Sequence, residues 1–258
     1  MARIIVISSG KGGVGKTTSA INIGAALNKL RQNVIIVDAN LNTPNVGIHL
    51  GAPIVPVTLN HVLKGKAEVE EAIYEHASGT KIIPASLSVK EIRKFNAKNI
   101  PEIAKKLRKI ADFVIFDSAA GFGDEVLSCL EASDEVIIIT NPEMPAVTDA
   151  LKAVKVAKEM GKEVKGVIVT RYKGEDYEMS LNSIKSMLEV PIIGIIPEDN
   201  SIKAAVNQRD AVVHTHPKSK ASKKYKEIAL KILGREADES LKKNKNFLSS
   251  FFWKIFGR

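Results

Sequence analysis

The feature that most constrains this chain is a glycine-rich segment placed directly behind an apolar run. Residues 8–18 read SSGKGGVGKTT, and the four residues IIVI precede them. The segment holds four glycines, two lysines and two threonines in eleven residues. Glycine lets the backbone turn tightly and lets its N–H groups approach a bound anion closely. The segment therefore predicts a strand, an anion-binding turn and a helix in succession.

Two motifs overlap in this segment, and they predict different ligands. Gly10, Gly12 and Gly15 satisfy the pattern G-x-G-x-x-G, and Asp38 ends the next apolar run, as in a dinucleotide-binding turn. Residues 10–17 also satisfy the longer pattern G-x-x-x-x-G-K-[ST] of a phosphate-binding loop. The longer pattern specifies three residue types with separate functions, and its lysine has no purpose at a dinucleotide turn. We therefore favour the phosphate loop over the dinucleotide turn, and both over a glycine turn that binds nothing.

The phosphate-loop pattern assigns a function to each of its residues. Lys16 would neutralise the β- and γ-phosphates, and the Thr17 hydroxyl would hold Mg²⁺. A second metal anchor is expected from Asp117, which ends the apolar run FVIFD, because a strand-end carboxylate beside such a loop can hold Mg²⁺. The expected cofactors are ATP and Mg²⁺. The loop residues expected to bind ATP are Gly10, Lys11, Gly12, Gly13, Val14, Gly15, Lys16, Thr17 and Thr18.

Short β-branched runs alternate with longer helical patterns along the chain, which predicts an α/β fold. The predicted strands are largely apolar, as in strands covered on both faces, and they span residues 3–8, 33–38, 81–84, 113–117, 135–140, 164–170 and 192–196. The predicted helices include residues 17–30, 100–111, 145–160 and 180–188. We expect one three-layer domain over residues 1–234, a mainly parallel twisted sheet with helices on both faces. A charged linker (residues 235–246) and a C-terminal amphipathic helix (residues 247–258) would follow.

Composition narrows the classes of protein and of partner. The formal charge of +9 at pH 7 suggests an anionic partner, either nucleic acid or an anionic membrane. The basic residues are spread over many helices, so solvated lysine-rich surfaces explain this charge equally well. The single cysteine, Cys129, excludes a disulfide framework within the chain and favours a reducing compartment. We expect neither a signal peptide nor a membrane-spanning run, and we expect His214 and His216 to be surface residues of a loop.

The loop and five further segments resemble the MinD/ParA family of ATPases, and archaeal-type members most of all. Lys11 and Lys16 together match the family's loop pattern K-G-G-x-G-K-[ST]. Segments similar to the family's first switch, second switch, dimer interface and adenine-framing positions lie at residues 35–51, 116–121, 140–152, 170–172 and 196–199. The resemblance covers residues 1–233. It implies a cytosolic homodimer that forms on Mg-ATP and positions other proteins in the cell.

The resemblance also implies roles for individual residues. Lys11 would cross to the partner subunit and contact its phosphates, so that ATP holds two chains together. Asp38 would lie near the attacking water or the metal, and Asn45 would orient that water. Glu143 and Asp149 would lie at the dimer face, where they would meet the Lys11 of the other chain. The adenine would be framed by Thr170, Arg171, Pro197, Glu198 and Asp199.

Two positions depart from the family pattern. Many relatives carry a second aspartate in the first switch, where this chain has Asn40. An amide carries no charge and is a poorer base, but it can still hold a water by hydrogen bonds. Phosphoryl transfer depends more on positioning than on base strength, so we expect slow hydrolysis, stimulated by a protein partner. The second departure, Ala119 in place of proline, should loosen the second switch only slightly.

The last twelve residues differ in character from the rest of the chain. They contain four of the eight phenylalanines and the only tryptophan, and from residue 241 onward there are five lysines or arginines and no acid. On a helix the bulky side chains form one apolar stripe with a cationic fringe, which is typical of a helix lying flat on an anionic membrane. A helix docked on the domain or on a partner protein is the alternative. The residues expected to enter the membrane are Phe247, Leu248, Phe251, Phe252, Trp253, Ile255 and Phe256.

Three functional classes remain to be compared. We expect a MinD-like ATPase that cycles between the cytoplasm and the inner face of the cell membrane. A ParA-like ATPase that segregates DNA is the alternative, since the basic surface suits phosphate contacts, but an aromatic stripe does not. Iron–sulfur carriers share this loop, yet the lone Cys129 cannot supply their usual two ligands per chain. The sequence does not identify the positioned cargo or the activating partner.

Overall fold

Eight strands form a single sheet in the computed structural model, which describes residues 2–88, 91 and 96–235. The strands are β1 (Arg3–Ser9), β2 (Val34–Ala39), β3 (Tyr74–Glu75), β4 (Lys81–Ile83), β5 (Phe113–Ala120), β6 (Glu135–Thr140), β7 (Glu163–Tyr172) and β8 (Ile192–Pro197). Their order across the sheet is β3-β4-β2-β5-β1-β6-β7-β8. Only the β3–β4 pair is antiparallel among the described strands, so the expected mainly parallel sheet is confirmed.

Helices cover both faces of this sheet. They are α1 (Lys16–Lys29), α2 (Val46–His49), α3 (Leu59–Leu63), α4 (Ile100–Leu107), α5 (Asp124–Ala132), α6 (Met144–Glu159), α7 (Leu181–Leu188), α8 (Asn200–Asn207), α9 (Val212–Thr215) and α10 (Lys220–Ile232). Short 3-10 turns lie at Val69–Ala72 and Ala97–Asn99. Helices α1, α9 and α10 pack together on one face, and α4 to α7 pack on the other. The expected three layers are therefore confirmed.

The two faces of the sheet carry separate cores, because successive side chains of a strand point to opposite faces. In β1, Ile5 and Ile7 pack with the core on the α1 side, whereas Ile4 and Val6 pack with the core on the α5 side. All four side chains are fully buried. Burial on both faces explains why the central strands read as continuous apolar runs rather than as an alternating pattern.

Three sequence expectations about the elements are corrected by the structure. The two-residue strand β3 was not expected, because so short a segment carries no periodicity. The helix predicted over residues 100–111 ends at Leu107, where the amides of Lys109 and Ile110 bond carbonyls three residues earlier and tighten the chain. The assignment of His214 to a surface loop is also wrong, because it lies in α9 with an 11% exposed side chain, 2.9 Å from the Asp210 carboxylate.

The sheet places the carboxyl ends of three strands, and the loops that follow them, side by side. In parallel strands the carboxyl ends meet at one edge, and β1, β5 and β2 are neighbours. The register pairs Ile7 of β1 with Asp117 of β5, and Asp117 in turn with Asp38 of β2. The glycine segment after β1 therefore lies beside both strand-end aspartates. Among the residues that the structure describes, every helix is too short or too polar to cross a lipid bilayer.

Candidate functional site

The glycine segment forms a curled loop between β1 and α1. Gly13 and Gly15 have φ angles of 75° and 96°, in the left-handed region that glycine adopts without strain. Gly15 stands at the N-terminus of α1, where the first helical N–H groups have no intrahelical partner. The Ser9 hydroxyl donates to the Lys11 carbonyl at 2.7 Å and holds the start of the loop. The loop thus presents backbone donors and the positive end of a helix dipole to one space, as an anion-binding site requires.

Lys16 lies inside the loop rather than in solvent. It is 8% exposed, and its Nζ donates to the Ser9 hydroxyl at 2.8 Å. Burial lowers the pKa of Lys16, while the nearby carboxylate of Asp117 acts in the opposite direction. The contact with Ser9 fixes the ammonium group under the loop, where a phosphate would lie. Sequence motifs gave no indication of Ser9, which precedes the pattern.

The two residues expected to hold magnesium are in direct contact. The Thr17 hydroxyl donates to Oδ2 of Asp117 at 2.6 Å, and Asp117 is fully buried. The other carboxylate oxygen, Oδ1, is buried without a hydrogen-bond partner in the described part of the chain. Burial raises the pKa of Asp117 to about 6, partly offset by Thr17 and Lys16. A buried carboxylate with one unused oxygen beside a hydroxyl is a hard oxygen donor set, which fits Mg²⁺.

No group of three or more His, Cys, Asp or Glu side chains in the described residues forms a metal site by itself. Magnesium itself is usually bound through one or two protein carboxylates, with water and substrate phosphates completing its shell. Thr17 and Asp117 would supply the protein part of such a shell. The residues present therefore fit the metal that the phosphate loop implies.

Asp38 supports the loop that follows β2. Its Oδ2 accepts the backbone N–H groups of Asn45 and Val46, both at 2.9 Å, and its Oδ1 accepts that of Asn40 at 3.3 Å. The side chain is fully buried, and burial together with the charge of Asp117 raises its pKa well above the ordinary value. These contacts pin both ends of the loop 40–45 to the strand. Its expected role beside the water or metal stays a prediction.

Asn40 and Asn45 both face the phosphate loop across one pocket. This pocket has a volume of about 320 Å³ and is lined by Gly12, Gly13, Gly15, Lys16, Thr17, Thr18, Asn40, Thr43, Asn45, His49, Ala120 and Arg171. Both asparagine amides donate to the Thr43 carbonyl at 2.7 Å, which shapes the loop. The structure thus brings together the loop residues and the two asparagines that the sequence singled out. Thr43 and His49 were not expected there.

A second pocket adjoins the first and suits a nucleoside. Its volume is about 340 Å³, and it shares Gly15, Thr18 and Arg171 with the phosphate pocket. All five residues expected to frame the adenine line it: Thr170, Arg171, Pro197, Glu198 and Asp199. Sequence motifs missed the wall supplied by α8 and α10, which consists of Ile202, Lys203, Val206, Asn207 and Tyr225. No motif marks these residues, because only the packing of two helices brings them to the pocket.

Two of the pocket residues use their polar side-chain groups for hydrogen bonds within the protein. The Thr170 hydroxyl contacts the Val14 carbonyl at 2.6 Å and Oδ1 of Asn141 at 2.8 Å, so it braces the phosphate loop from below. Asp199 accepts the N–H of Ser201 at 2.9 Å and that of Ala221 at 3.0 Å, and so ties the start of α8 to the start of α10. Both residues shape the nucleoside pocket by fixing its walls.

The three residues expected at the dimer face lie together beside the phosphate loop. The side chain of Lys11 is 41% exposed, and its Nζ lies 3.4 Å from Oε2 of Glu143 in the same chain. Asp149 lies in the second turn of α6, where it pairs with Lys152 at 3.1 Å. Gly10 packs on this helix so closely that a Cβ atom there would lie 2.3 Å from the Asp149 carbonyl oxygen. The contact of Lys11 with a second chain stays a prediction.

Two further sequence expectations concern Cys129 and the C-terminal segment. Cys129 is fully buried, and burial together with Glu125 raises its pKa, so it offers no thiolate to a metal or cluster. The residues expected to enter a membrane, from Phe247 to Phe256, and nearly all of the linker lie outside the described residues. Their placement stays a prediction.

The fold and the site define a class of protein. A parallel sheet whose first strand leads through a glycine loop into a helix, with a buried lysine, a threonine and a strand-end aspartate, is the nucleotide site of the P-loop NTPases. A family model described as "ParA: NUBPL iron-transfer P-loop NTPase" matches residues 1–233. The chain belongs to the MinD/ParA family of P-loop NTPases.

Known relatives extend over nearly the whole chain. An uncharacterized ATP-binding protein of Methanocaldococcus jannaschii is 38% identical over 259 residues, covering 100% of this chain and 98% of that protein. The septum site-determining protein MinD of Pyrococcus horikoshii, solved with Mg-ADP, is 33% identical with a TM-score of 0.86, covering 90% of this chain and 96% of that one. MinD of Aquifex aeolicus, solved in a MinC:MinD complex, is 30% identical with a TM-score of 0.83, covering 91% and 97%.

Proposed function

We propose that this protein is a MinD-like ATPase that dimerises on Mg-ATP, binds the membrane as a dimer and is released when ATP is hydrolysed. One observation carries the nucleotide part of this proposal. Thr17 and Asp117 meet at 2.6 Å beneath the phosphate loop, and Asp117 keeps a buried oxygen without a partner in the described residues. Burying that oxygen costs free energy unless a ligand compensates it, and Mg²⁺ bound to a nucleotide would do so.

The residues of the site divide the work of phosphoryl transfer. When bound, Mg²⁺ would be held by Thr17 and Asp117 and would neutralise negative charge that develops on the phosphates. Lys16 would also neutralise this charge from inside the loop, held in place by Ser9 at 2.8 Å. Asn40 and Asn45 line the phosphate pocket, where their amides can hold the attacking water. With neutral amides and no carboxylate at position 40, positioning rather than proton abstraction would limit the rate, and hydrolysis is slow without an activator.

Dimerisation is proposed from the position of Lys11. Its side chain is 41% exposed and lies near Glu143, whereas Lys16 is buried under the loop. A lysine that is not needed for the phosphates of its own chain is free to contact those of a second chain. Formation of a dimer would then depend on the γ-phosphate, and a protein partner could recognise the dimer. The MinD of Aquifex aeolicus with MinC is an example of a relative in complex with a protein partner.

Membrane binding is proposed from the sequence of the last twelve residues, which lie outside the described part of the structure. About five large apolar side chains, each worth roughly 1.5 kcal/mol when fully buried, would oppose the cost of ordering a short helix. One tail should therefore bind weakly, and two tails on one dimer should gain about 10²- to 10⁴-fold in avidity. The protein would then cycle between the cytoplasm and the inner face of the membrane, and this cycle would position its cargo.

A DNA-segregating ATPase is the second candidate, because the surface of α10 is rich in lysine. Lys220, Lys223, Lys224 and Lys231 line one groove beside β8, and only Glu227 offsets their charge there. Such a surface suits phosphate contacts. A gel shift with duplex DNA at several salt concentrations, run beside liposome sedimentation, separates the two candidates. DNA binding without liposome binding would favour the second.

The nucleotide part is tested by steady-state ATP hydrolysis with and without Mg²⁺. Removal of the buried ammonium in Lys16→Ala should lower kcat about 100-fold, the usual order for losing one fixed positive group at a transition state. Lys105→Ala is the control, because the Lys105 side chain is 69% exposed and pairs with Glu102 on α4. Equal rates in the two variants, or hydrolysis that needs no divalent metal, would contradict the assigned site.

A further inference from the structure

A glutamate outside every motif joins the two loops that border the phosphate pocket. Glu125 lies in the first turn of α5, four residues after Gly121. Its Oε1 accepts the side-chain amide of Asn42 at 3.0 Å, and Asn42 belongs to the loop 40–45 after β2. This hydrogen bond connects residues 83 positions apart in the chain. It therefore links the segment after Asp117 to the segment after Asp38.

The position of the Glu125 carboxylate has a cost in free energy. Its Oε2 is buried and has no hydrogen-bond partner in the described residues. Burial raises the pKa of Glu125, and only the contacts with Asn42 and the backbone of Leu41 act in the other direction. Leu41 itself is fully buried. A side chain that served only helix stability at this position would lie in solvent, as the neighbouring Asp124 does.

Each of the two loops is also held at the site by contacts of its own. Asp38 pins the ends of the loop 40–45 through the amides of Asn40, Asn45 and Val46. Asn42, at its apex, is not reached by Asp38. The segment after Asp117 passes Gly121, whose N–H donates to the Ser9 carbonyl at 3.2 Å, and leads into α5. Glu125 supplies the direct side-chain contact between that helix and the apex of the loop.

We propose that Glu125 is a positioning residue that couples the loop after Asp117 to the loop 40–45 through Asn42, and thereby sets Asn40 and Asn45 for hydrolysis. The inference rests on the proposed ATPase function. Glu125 does not touch the nucleotide pockets, so it acts on the rate of the chemical step and not on affinity for ATP. When the segment 121–123 moves, helix α5 passes that displacement to the loop 40–45.

Kinetics of paired variants test this coupling. In Glu125→Ala and in Asn42→Ala, kcat should fall about tenfold, since each loses one hydrogen bond to a charged group, while KM for ATP stays within about twofold. The double variant should fall no further than either single one. Glu125→Gln keeps an acceptor for Asn42 and should stay within about threefold of the original kcat. Asp124→Ala, in the same turn and exposed, is the control and should leave kcat unchanged.

Amide hydrogen exchange of residues 40–46, measured without nucleotide, gives a second readout. Exchange should be faster in Glu125→Ala than in Asp124→Ala, because the apex of the loop loses its contact with α5. If the original protein hydrolyses no ATP, the proposed function fails, and the exchange comparison alone decides the link. Unchanged exchange, an unchanged kcat in an active protein, or single effects that multiply would overturn the proposal. If Glu125→Ala does not fold, Asn42→Ala carries the test, since its side chain is exposed.

Discussion

At the scale of single residues, the site depends on where buried charges are compensated. Lys16, Asp38 and Asp117 are all at least nine-tenths buried, and each has a named partner that holds it in place. A lysine and two carboxylates would cost several kcal/mol each if they were buried alone. The opposite charges of Lys16 and Asp117 partly compensate each other, whereas the Asp38 carboxylate is compensated by the backbone N–H groups that it accepts. The remaining unsatisfied oxygen of Asp117 marks where a cation belongs.

Asn40 is the residue at which a single change should increase the rate. Asn40→Asp restores a carboxylate at the edge of the phosphate pocket, where it can accept a proton from the attacking water and orient it more strongly. We expect kcat for ATP to rise by about tenfold, less than the 10²- to 10⁴-fold typical of general acid–base catalysis, because phosphoryl transfer depends more on positioning than on base strength. Steady-state hydrolysis with saturating Mg-ATP measures this. A kcat that is unchanged or lower would remove Asn40 from the catalytic step.

Much of the site could be predicted from residue types and spacing. The loop pattern located Lys16 and Thr17, and the strand-end rule located Asp117 without any knowledge of the fold. Ser9, Thr43 and Tyr225 could not be found in this way, because they act through a single hydroxyl, carbonyl or ring brought near by packing. Asp38 was expected at the water or the metal, but its visible contacts are with backbone amides, which no sequence pattern distinguishes from a catalytic contact.

At the scale of elements, the phosphate loop packs closely against α6. A side chain at Gly10 would meet the backbone carbonyl of Asp149 at 2.3 Å, and a backbone cannot move aside as a flexible side chain can. Gly10→Ala should therefore lower the free energy of unfolding by about 1–3 kcal/mol, the usual cost of overpacking. Urea denaturation measures the difference. Gly12→Ala is the matched control, because nothing lies within 4 Å of a Cβ there. Equal losses in both variants would contradict the packing argument.

The membrane-binding role proposed for the C-terminal segment rests on its sequence alone. Deleting residues 247–258 should abolish sedimentation with anionic liposomes in the presence of Mg-ATP, because the apolar stripe and its cationic fringe are removed together. ATP hydrolysis should persist, since the pockets are built from residues before 226. Liposome binding that survives the deletion would contradict the membrane proposal. Binding of the full chain that does not depend on ATP would contradict the dimer part of it.

Element boundaries were predicted where the local signal is strong and missed where it is not. The central strands agree within a few residues, because a strand buried on both faces is an unmistakable apolar run. Helix α5 was not assigned from the sequence, although it carries Glu125. The helix is only nine residues long and begins directly after three loop residues. The end of α4 was misplaced because residues 108–111 continue the helical pattern of the sequence, whereas the amides of Lys109 and Ile110 bond carbonyls three residues earlier.

At the scale of the whole molecule, the domain exposes one side of its nucleotide site. Lys11, Glu143 and Asp149 lie on the surface beside the phosphate loop, together with Met144, which is 57% exposed. An exposed methionine beside charged groups suits contact with another protein surface. The parallel register that sets Asp117 beside Asp38 also fixes the direction in which this surface faces. A second copy of the chain meeting it would cover the bound nucleotide.

The most direct test is the molecular mass in solution, measured by light scattering at high protein concentration with Mg²⁺ and either ATP or ADP. The account predicts the mass of two chains with ATP, of one chain with ADP, and of one chain with ATP in Lys11→Ala. Lys105→Ala should still form the pair. One mass under all conditions, or an ATP-dependent pair that Lys11→Ala leaves intact, would contradict the claim that the nucleotide joins two chains through Lys11.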